Sequence, residues 1–235
     1  MTNLPLLLAL PHAGLEIPPE VRAICRLGRE EIAADSDEDA SEIYSLDDRV
    51  AALVRCPVAR CIVDVNRAED DLGPDGALKL VTRRKGVPIY QGGLPERICE
   101  RLLERYHRPY HAMLTELSGP AILGIDCHSM SERTPEKRGQ PPKTSRLRPR
   151  ICLSDAGSAC PAETFSALRR CLEQAFGFPV AKNDPFRGGY TIRRHARELP
   201  WVQLELSREP YATPSEKRAM LLSALEAFCS SPLKG

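Results

Sequence analysis

Several protein classes are excluded by what this sequence does not contain. No apolar run approaches the ~20 residues that a membrane-spanning helix needs. Leu4 to Leu10 is apolar but short, has no basic flank before it and runs into Pro11-His12, so it reads as a first strand and not as a signal peptide. Charge of neither sign prevails: 33 Lys and Arg against 32 Asp and Glu leave a net charge of +1. That argues against a surface built to coat nucleic acid. Neither a Walker motif nor a GxGxxG is present, so the phosphate-cradling loops have no candidate. The nine cysteines are odd in number and scattered, with no CxxC pair, which suits reduced thiols in the cytoplasm better than a disulfide framework.

What remains is an ordinary globular balance over 235 residues, 42% hydrophobic and 28% charged. A chain of this length can bury roughly 70–75% of its unfolded surface and needs no staple merely to fold. Short apolar runs alternate with longer helix-like stretches. That pattern predicts one α/β domain with a mixed, mostly parallel sheet flanked by helices. Strands are expected over Leu6 to Leu10, Ala59 to Val65, Ala121 to Asp126, Arg150 to Leu153 and Val202 to Leu206. Helices are expected over Pro19 to Arg26, Ser41 to Leu53, Pro95 to Leu117, Ala162 to Phe176 and Pro214 to Phe228, with Pro109 kinking or interrupting the third. The stretch Glu132 to Arg150 is rich in Pro, Lys and Arg and poor in apolar residues, so it reads as a long exposed basic loop at about 131–150. It carries no aromatic residue on which a base could stack, which counts against single-strand binding.

The polar residues that follow the apolar runs carry the chemistry. LLLAL ends in Pro11-His12, CIVDV in Asn66-Arg67 and AILGI in Asp126-Cys127-His128, while VQLEL contains Glu205. Ligands of open α/β sheets bind beyond the carboxyl ends of the strands, so these residues could share one edge. Two imidazoles and a carboxylate are the donor types of a catalytic zinc site. The carboxylate candidates are Asp37 and Asp35, in an acidic run that otherwise reads as a solvated turn, and Glu16. Glu205 sits either on a solvated sheet face or at a site, since it interrupts an apolar strand. Asn66-Arg67 either closes a strand-end ion pair with Asp64 or grips a substrate carboxylate. His107 and His111 have the spacing of an HxxxH zinc pair but lack its Glu and flank Pro109; His111 is a candidate for a supporting role behind the ligands. Gly188-Gly189 marks a turn or a close backbone approach.

Seven short stretches, in order, resemble the N-formylglutamate amidohydrolase family. They are Pro11-His12-Ala13-Gly14 with Ile17-Pro18, Asp35-Ser36-Asp37 with Ile43-Tyr44, and Val63-Asp64-Val65-Asn66-Arg67. After these come Arg105-Tyr106 with Pro109-Tyr110-His111, Asp126-Cys127-His128-Ser129-Met130, Gly188-Gly189-Tyr190, and Val202-Gln203-Leu204-Glu205-Leu206. Two positions depart from the family pattern: Glu38 replaces an aromatic, and Leu153-Ser154-Asp155 stands where Leu-Gly-Thr is usual. The resemblance implies a fold related to zinc carboxypeptidases and aspartoacylase-like enzymes. It further implies Zn²⁺, or another divalent transition metal, held by His12, Asp37 and His128, with Glu205 as the base. Asn66, Arg67 and Arg193 would bind the carboxylates of a small N-acyl amino acid, N-formyl-L-glutamate first. The alternatives are a carboxypeptidase-like or other N-acyl amino-acid hydrolase, or a non-catalytic metal- or anion-binding relative. Neither nucleic acid nor membrane is an expected partner.

Overall fold

Apolar runs without a polar face must be covered on both sides. The first becomes β1 (Leu4–Leu10), buried throughout from Leu6. It is followed by β2 (Val50–Arg55), β3 (Leu123–Met130), β4 (Ile151–Ser154), β5 (Val180–Lys182) and β6 (Trp201–Ser207). The computed structural model describes residues 3–37, 39–71, 73–83, 86–134 and 146–231. The strands form one six-stranded sheet in the order β2-β1-β3-β6-β4-β5. All neighbours are parallel except the antiparallel β4 and β6, which makes the sheet mixed and mostly parallel, as the alternation of elements predicts.

The pleat divides the work between the two faces. On one face Leu6, Leu8 and Leu10, Ile125 and Cys127, and Val202, Leu204 and Leu206 pack into a core with α3 (Ala40–Ile43), α6 (Ala162–Phe176) and α8 (Pro214–Ser230). On the other, Leu7, Ala9 and Trp201 pack with α2 (Arg29–Asp35), α4 (Glu96–Leu102), α5 (Arg108–Glu116) and α7 (Tyr190–His195). A short α1 (Pro19–Arg22) precedes α2. The second face is apolar only at its base. Toward the carboxyl ends of β3 and β6 it carries Asp126, His128, Gln203 and Glu205, all buried.

Several expected elements differ. Ala59 to Val65 is not a strand. Its residues close local turns, with Ile62 and Val63 both donating to the carbonyl of Ala59, and Cys61 to Asn66 are buried without a ladder. Full burial of an apolar run mimics a central strand in the sequence. The second strand lies instead in the stretch Ser41 to Leu53 expected as a helix, which the fold divides into α3 and the edge strand β2. The first helix stops at Arg22, and α2, β5 and α7 had no clear periodicity. The long helix before β3 is interrupted as Pro109 requires. A π-helical turn, Leu103–His107, joins α4 to α5, and Arg108 N–H reaches the Leu103 carbonyl five residues back. The basic stretch is described only at its ends, which pair through Arg133 and Leu147; residues 135–145, with Lys143 among them, lie outside the described residues. All nine cysteines are free thiols, and Cys127 points away from the face that carries Asp126 and His128. Among the described residues no helix is long and apolar enough to cross a membrane.

Gly124 faces Trp201 in register on the neighbouring strand, and a Cβ at 124 would overlap the indole ring. Both strands are locked between layers, so neither can yield cheaply. Gly124→Ala should destabilise the protein by about 1–3 kcal/mol. In chemical denaturation the double variant with Trp201→Leu should lose less than the sum of the two single losses, because the smaller side chain removes the clash.

Candidate active site

β1 pairs with β2 on one side and β3 on the other, so the chain reverses its direction of winding at β1. Crevices at such a switch point, beyond the carboxyl ends of the strands, are where α/β sheets bind ligands. His12 lies two residues beyond β1, and His128 and Glu205 are paired in register on β3 and β6. Asp37 comes from the turn after α2, anchored by its N–H to the His12 carbonyl at 3.0 Å. That acidic turn is not solvated: Asp35, Ser36 and Asp37 are each 7% exposed.

Among the described residues, one group of potential metal ligands converges: His12, Asp37 and His128. His128 Nδ1 is 2.8 Å from Asp37 Oδ2, His12 Nδ1 is 3.2 Å from His128 Nδ1, and His12 Nδ1 is 3.6 Å from Asp37 Oδ2. Ligands about 2.0–2.1 Å from a tetrahedral ion stand about 3.3 Å from one another, so these three atoms have the spacing of one coordination sphere. Each imidazole is backed by a buried carboxylate. His12 Nε2 lies 2.7 Å from Asp64 Oδ1, and His128 Nε2 lies 3.0 Å from Asp126 Oδ2. A carboxylate only accepts, so each Nε2 carries the proton and each Nδ1 turns a lone pair inward. Two lone pairs and a carboxylate oxygen at these distances repel unless a cation or a proton lies among them. The donor set therefore fits a divalent metal.

Electrostatics agree. Burial opposes a charge on His128, but Asp126, and then Asp37, hold its imidazole well above the ordinary range. The field that favours a proton there also favours a metal cation in its place. Burial would raise Asp37, yet the His12 and His128 imidazoles beside it, when protonated, hold it well below the usual carboxylate range. Asp64 behaves alike: burial opposes its charge, and His12, Lys79 and Arg60 more than offset that. Lys79 Nζ is 2.8 Å from Asp64 Oδ2, and Arg60 reaches Asp37 Oδ1 at 3.2 Å and Asp64 Oδ2 at 3.5 Å. Burial is also the main cause that pushes Glu205 up to about 7. Gln203 Nε2 donates to its Oε1 at 2.8 Å. Nearby Asp126 Oδ1 and Gln203 Oε1 are buried without a hydrogen-bond partner among the described residues.

Other expected site residues fall differently. Glu16 is exposed and stands outside the group, and Asp35 is buried but aims elsewhere. Asn66 is not a free fork. Its Nδ2 donates at 3.1 Å to Asp126 Oδ2, the same oxygen that accepts from His128 Nε2–H, and its Oδ1 accepts from Thr191 N–H at 2.8 Å. Asn66 therefore holds Asp126 behind His128 and ties it to the start of α7. Gly189 allows this, since a Cβ there would overlap the Asn66 side chain. Arg67 is half-buried and donates to the carbonyls of Asp75 and Asn66. Arg193 is exposed on α7 and donates to the Gly188 carbonyl at 2.7 Å. Lys79 and Arg60 escaped notice in the sequence, although each is a charge inside an apolar stretch, the signal that singled out Glu205.

Comparison with known proteins gives the family. A model of the N-formylglutamate amidohydrolase family matches residues 4–212. The chain belongs to that family. It is 30% identical over 232 residues to an N-formylglutamate deformylase of Pseudomonas putida, covering 91% of this chain and 84% of that protein. A deformylase of the same name from Pseudomonas aeruginosa is 28% identical, with 96% and 90% covered. In structure, the chain superposes on N-formylglutamate amidohydrolase from Ralstonia eutropha with a TM-score of 0.75 at 24% identity, over 96% of this chain and 93% of that one. A gene product of Agrobacterium tumefaciens follows at 0.72 and 20%, with 95% and 87% covered.

Removing one member of the buried Asp64–Lys79 pair should be costly, because the carboxylate then keeps only the His12 ring and the more distant Arg60 as partners. Lys79→Met should lower stability by about 3 kcal/mol in urea denaturation at neutral pH. The double variant Asp64→Asn with Lys79→Met should recover part of that loss.

Proposed function

We propose that this chain hydrolyses the amide bond of N-formyl-L-glutamate to formate and L-glutamate, at a divalent metal held by His12, Asp37 and His128. One observation carries the reading. Two Nδ1 lone pairs and a carboxylate oxygen converge beside the buried Glu205, in a member of the N-formylglutamate amidohydrolase family. When bound, such an ion supplies Lewis acidity, lowering the pKa of a water toward ~7 and polarising a carbonyl. Zinc suits two imidazoles and a carboxylate.

The protein's own groups do the rest. Glu205, pushed up by burial to about 7, is poised to exchange a proton near neutral pH. Its Oε1 is held by Gln203, which leaves Oε2 free to accept the proton of the attacking water. That proton then passes to the leaving nitrogen as the C–N bond breaks, while the hydroxyl remains on the formyl carbon. Asp64 and Asp126 fix the tautomers of His12 and His128. Arg67 and Arg193 are suited to the two carboxylates of the substrate. Arg67 NH2 makes no hydrogen bond among the described residues.

Release of the free amino acid should be fastest from N-formyl-L-glutamate in a panel that includes N-acetyl-L-glutamate and N-formyl-L-methionine. A preference for either of the latter would move the substrate assignment. Mass spectrometry should find one metal ion per chain in the wild type and none in His12→Ala or His128→Ala; full stoichiometry in both variants would remove those residues as ligands. Glu205→Gln should keep the metal and lose ~10²–10⁴ in kcat. Wild-type turnover by that variant would make Glu205 structural.

A further inference from the structure

All five histidines are buried, and three of them stand outside the proposed metal site: His107, His111 and His195. His107 and His111 project from the junction of the π-helical turn with α5, their ring centroids 4.8 Å apart. Their donor atoms do not converge on one point as an HxxxH metal pair would. His107 Nε2 lies 2.8 Å from the Arg67 carbonyl, and His111 Nε2 lies 2.9 Å from the Val65 carbonyl. A carbonyl only accepts, so both rings carry their proton on Nε2.

Those two carbonyls flank Asn66, in the segment that has no sheet ladder to hold it. The same turn carries Asp64, which fixes His12, and Asn66, which donates to the Asp126 carboxylate that fixes His128. The His111 tautomer is itself fixed. With Nε2–H committed to Val65, its Nδ1 must accept from His195 Nε2 at 2.9 Å, and His195 Nδ1 lies 2.7 Å from Glu198 Oε2. The two rings stack at 5.2 Å, and Tyr190 packs edge-on to His111 at 5.3 Å.

We propose that His107 and His111 are positioning residues whose Nε2–H groups clamp the Arg67 and Val65 carbonyls and so hold Asp64 and Asn66 behind the two metal-site imidazoles. The inference rests on the metal reading above. It predicts that the donor N–H matters, not the bulk of the ring. Hydrogen bonds made directly to a metal ligand are worth about 10–100-fold in metal affinity, and the clamp acts by holding the groups that make them.

The test compares His111→Gln, which keeps an N–H donor, with His111→Met, which fills similar volume without one. Zn²⁺ affinity should fall about 10-fold or more in His111→Met and stay within a few-fold of wild type in His111→Gln. In the metal-free protein, the imidazole ¹⁵N signals of His12 and His128 should move in the Met variant and keep their wild-type positions in the Gln variant. Equal affinity and unmoved signals in both variants, or equal damage in both, would overturn the clamp. The wild type separates the two readings: if it binds no Zn²⁺, the metal assignment fails, and the nitrogen signals alone decide the clamp. Should His111→Met not fold, His107→Met against His107→Gln runs the same comparison through the Arg67 carbonyl.

Discussion

Two imidazole lone pairs and a carboxylate oxygen held 2.8–3.6 Å apart form a knot of negative potential that must be built deliberately. Left alone, these groups would separate or gather protons. They stay because each is fastened from behind: His12 by Asp64, His128 by Asp126, and Asp37 by Arg60. The fastening costs more buried charge. Asp64 is fully buried and is tolerated only because Lys79, Arg60 and the His12 ring surround it. Each layer of the site thus exists to make the layer inside it affordable, and the innermost layer is complementary to a cation.

The sheet explains how residues so distant in sequence meet. Three neighbouring strands, β1, β3 and β6, deliver His12, His128 and Glu205 to one end of one face. The opposite face of the same strands is apolar except for Ser129 near the end of β3 and is sealed by α6 and α8. Strong packing on one side lets the other side carry a buried polar cluster without loosening the frame. The partners that strands do not supply, Asp37, Asp64 and Asn66, come from turns. Those turns are held by hydrogen bonds to their backbones: the His12 carbonyl to Asp37 N–H, and two histidine rings on either side of Asn66.

Local order made part of this legible in the chain itself. Short apolar runs located β1 and β3, alternation with Gln203 and Glu205 located β6, and a polar residue in or just past each run marked His12, His128 and Glu205. These are properties of consecutive residues, and a strand's carboxyl end is a local fact. The helices α6 and α8 were equally plain as longer helix-like stretches between those runs. The family resemblance likewise lives in short consecutive motifs, and the comparisons bear it out.

What the sequence by itself determined, then, is the fold class, the family and the identity of the strand-end residues. Tertiary structure alone decided the rest. It turned Ala59 to Val65 from an apparent strand into buried turns and moved the strand to Val50–Arg55, because burial comes from neighbours and leaves no period of its own. It singled out Asp37 from Asp35 and Glu16, since only the path of the chain after α2 decides which carboxylate aims at His128. It set Asn66 between Asp126 and the start of α7, and brought Lys79 and Arg60 against Asp64. Each of these depends on contacts between segments far apart in the chain, and a partner's distance in space is not written in the spacing of residues.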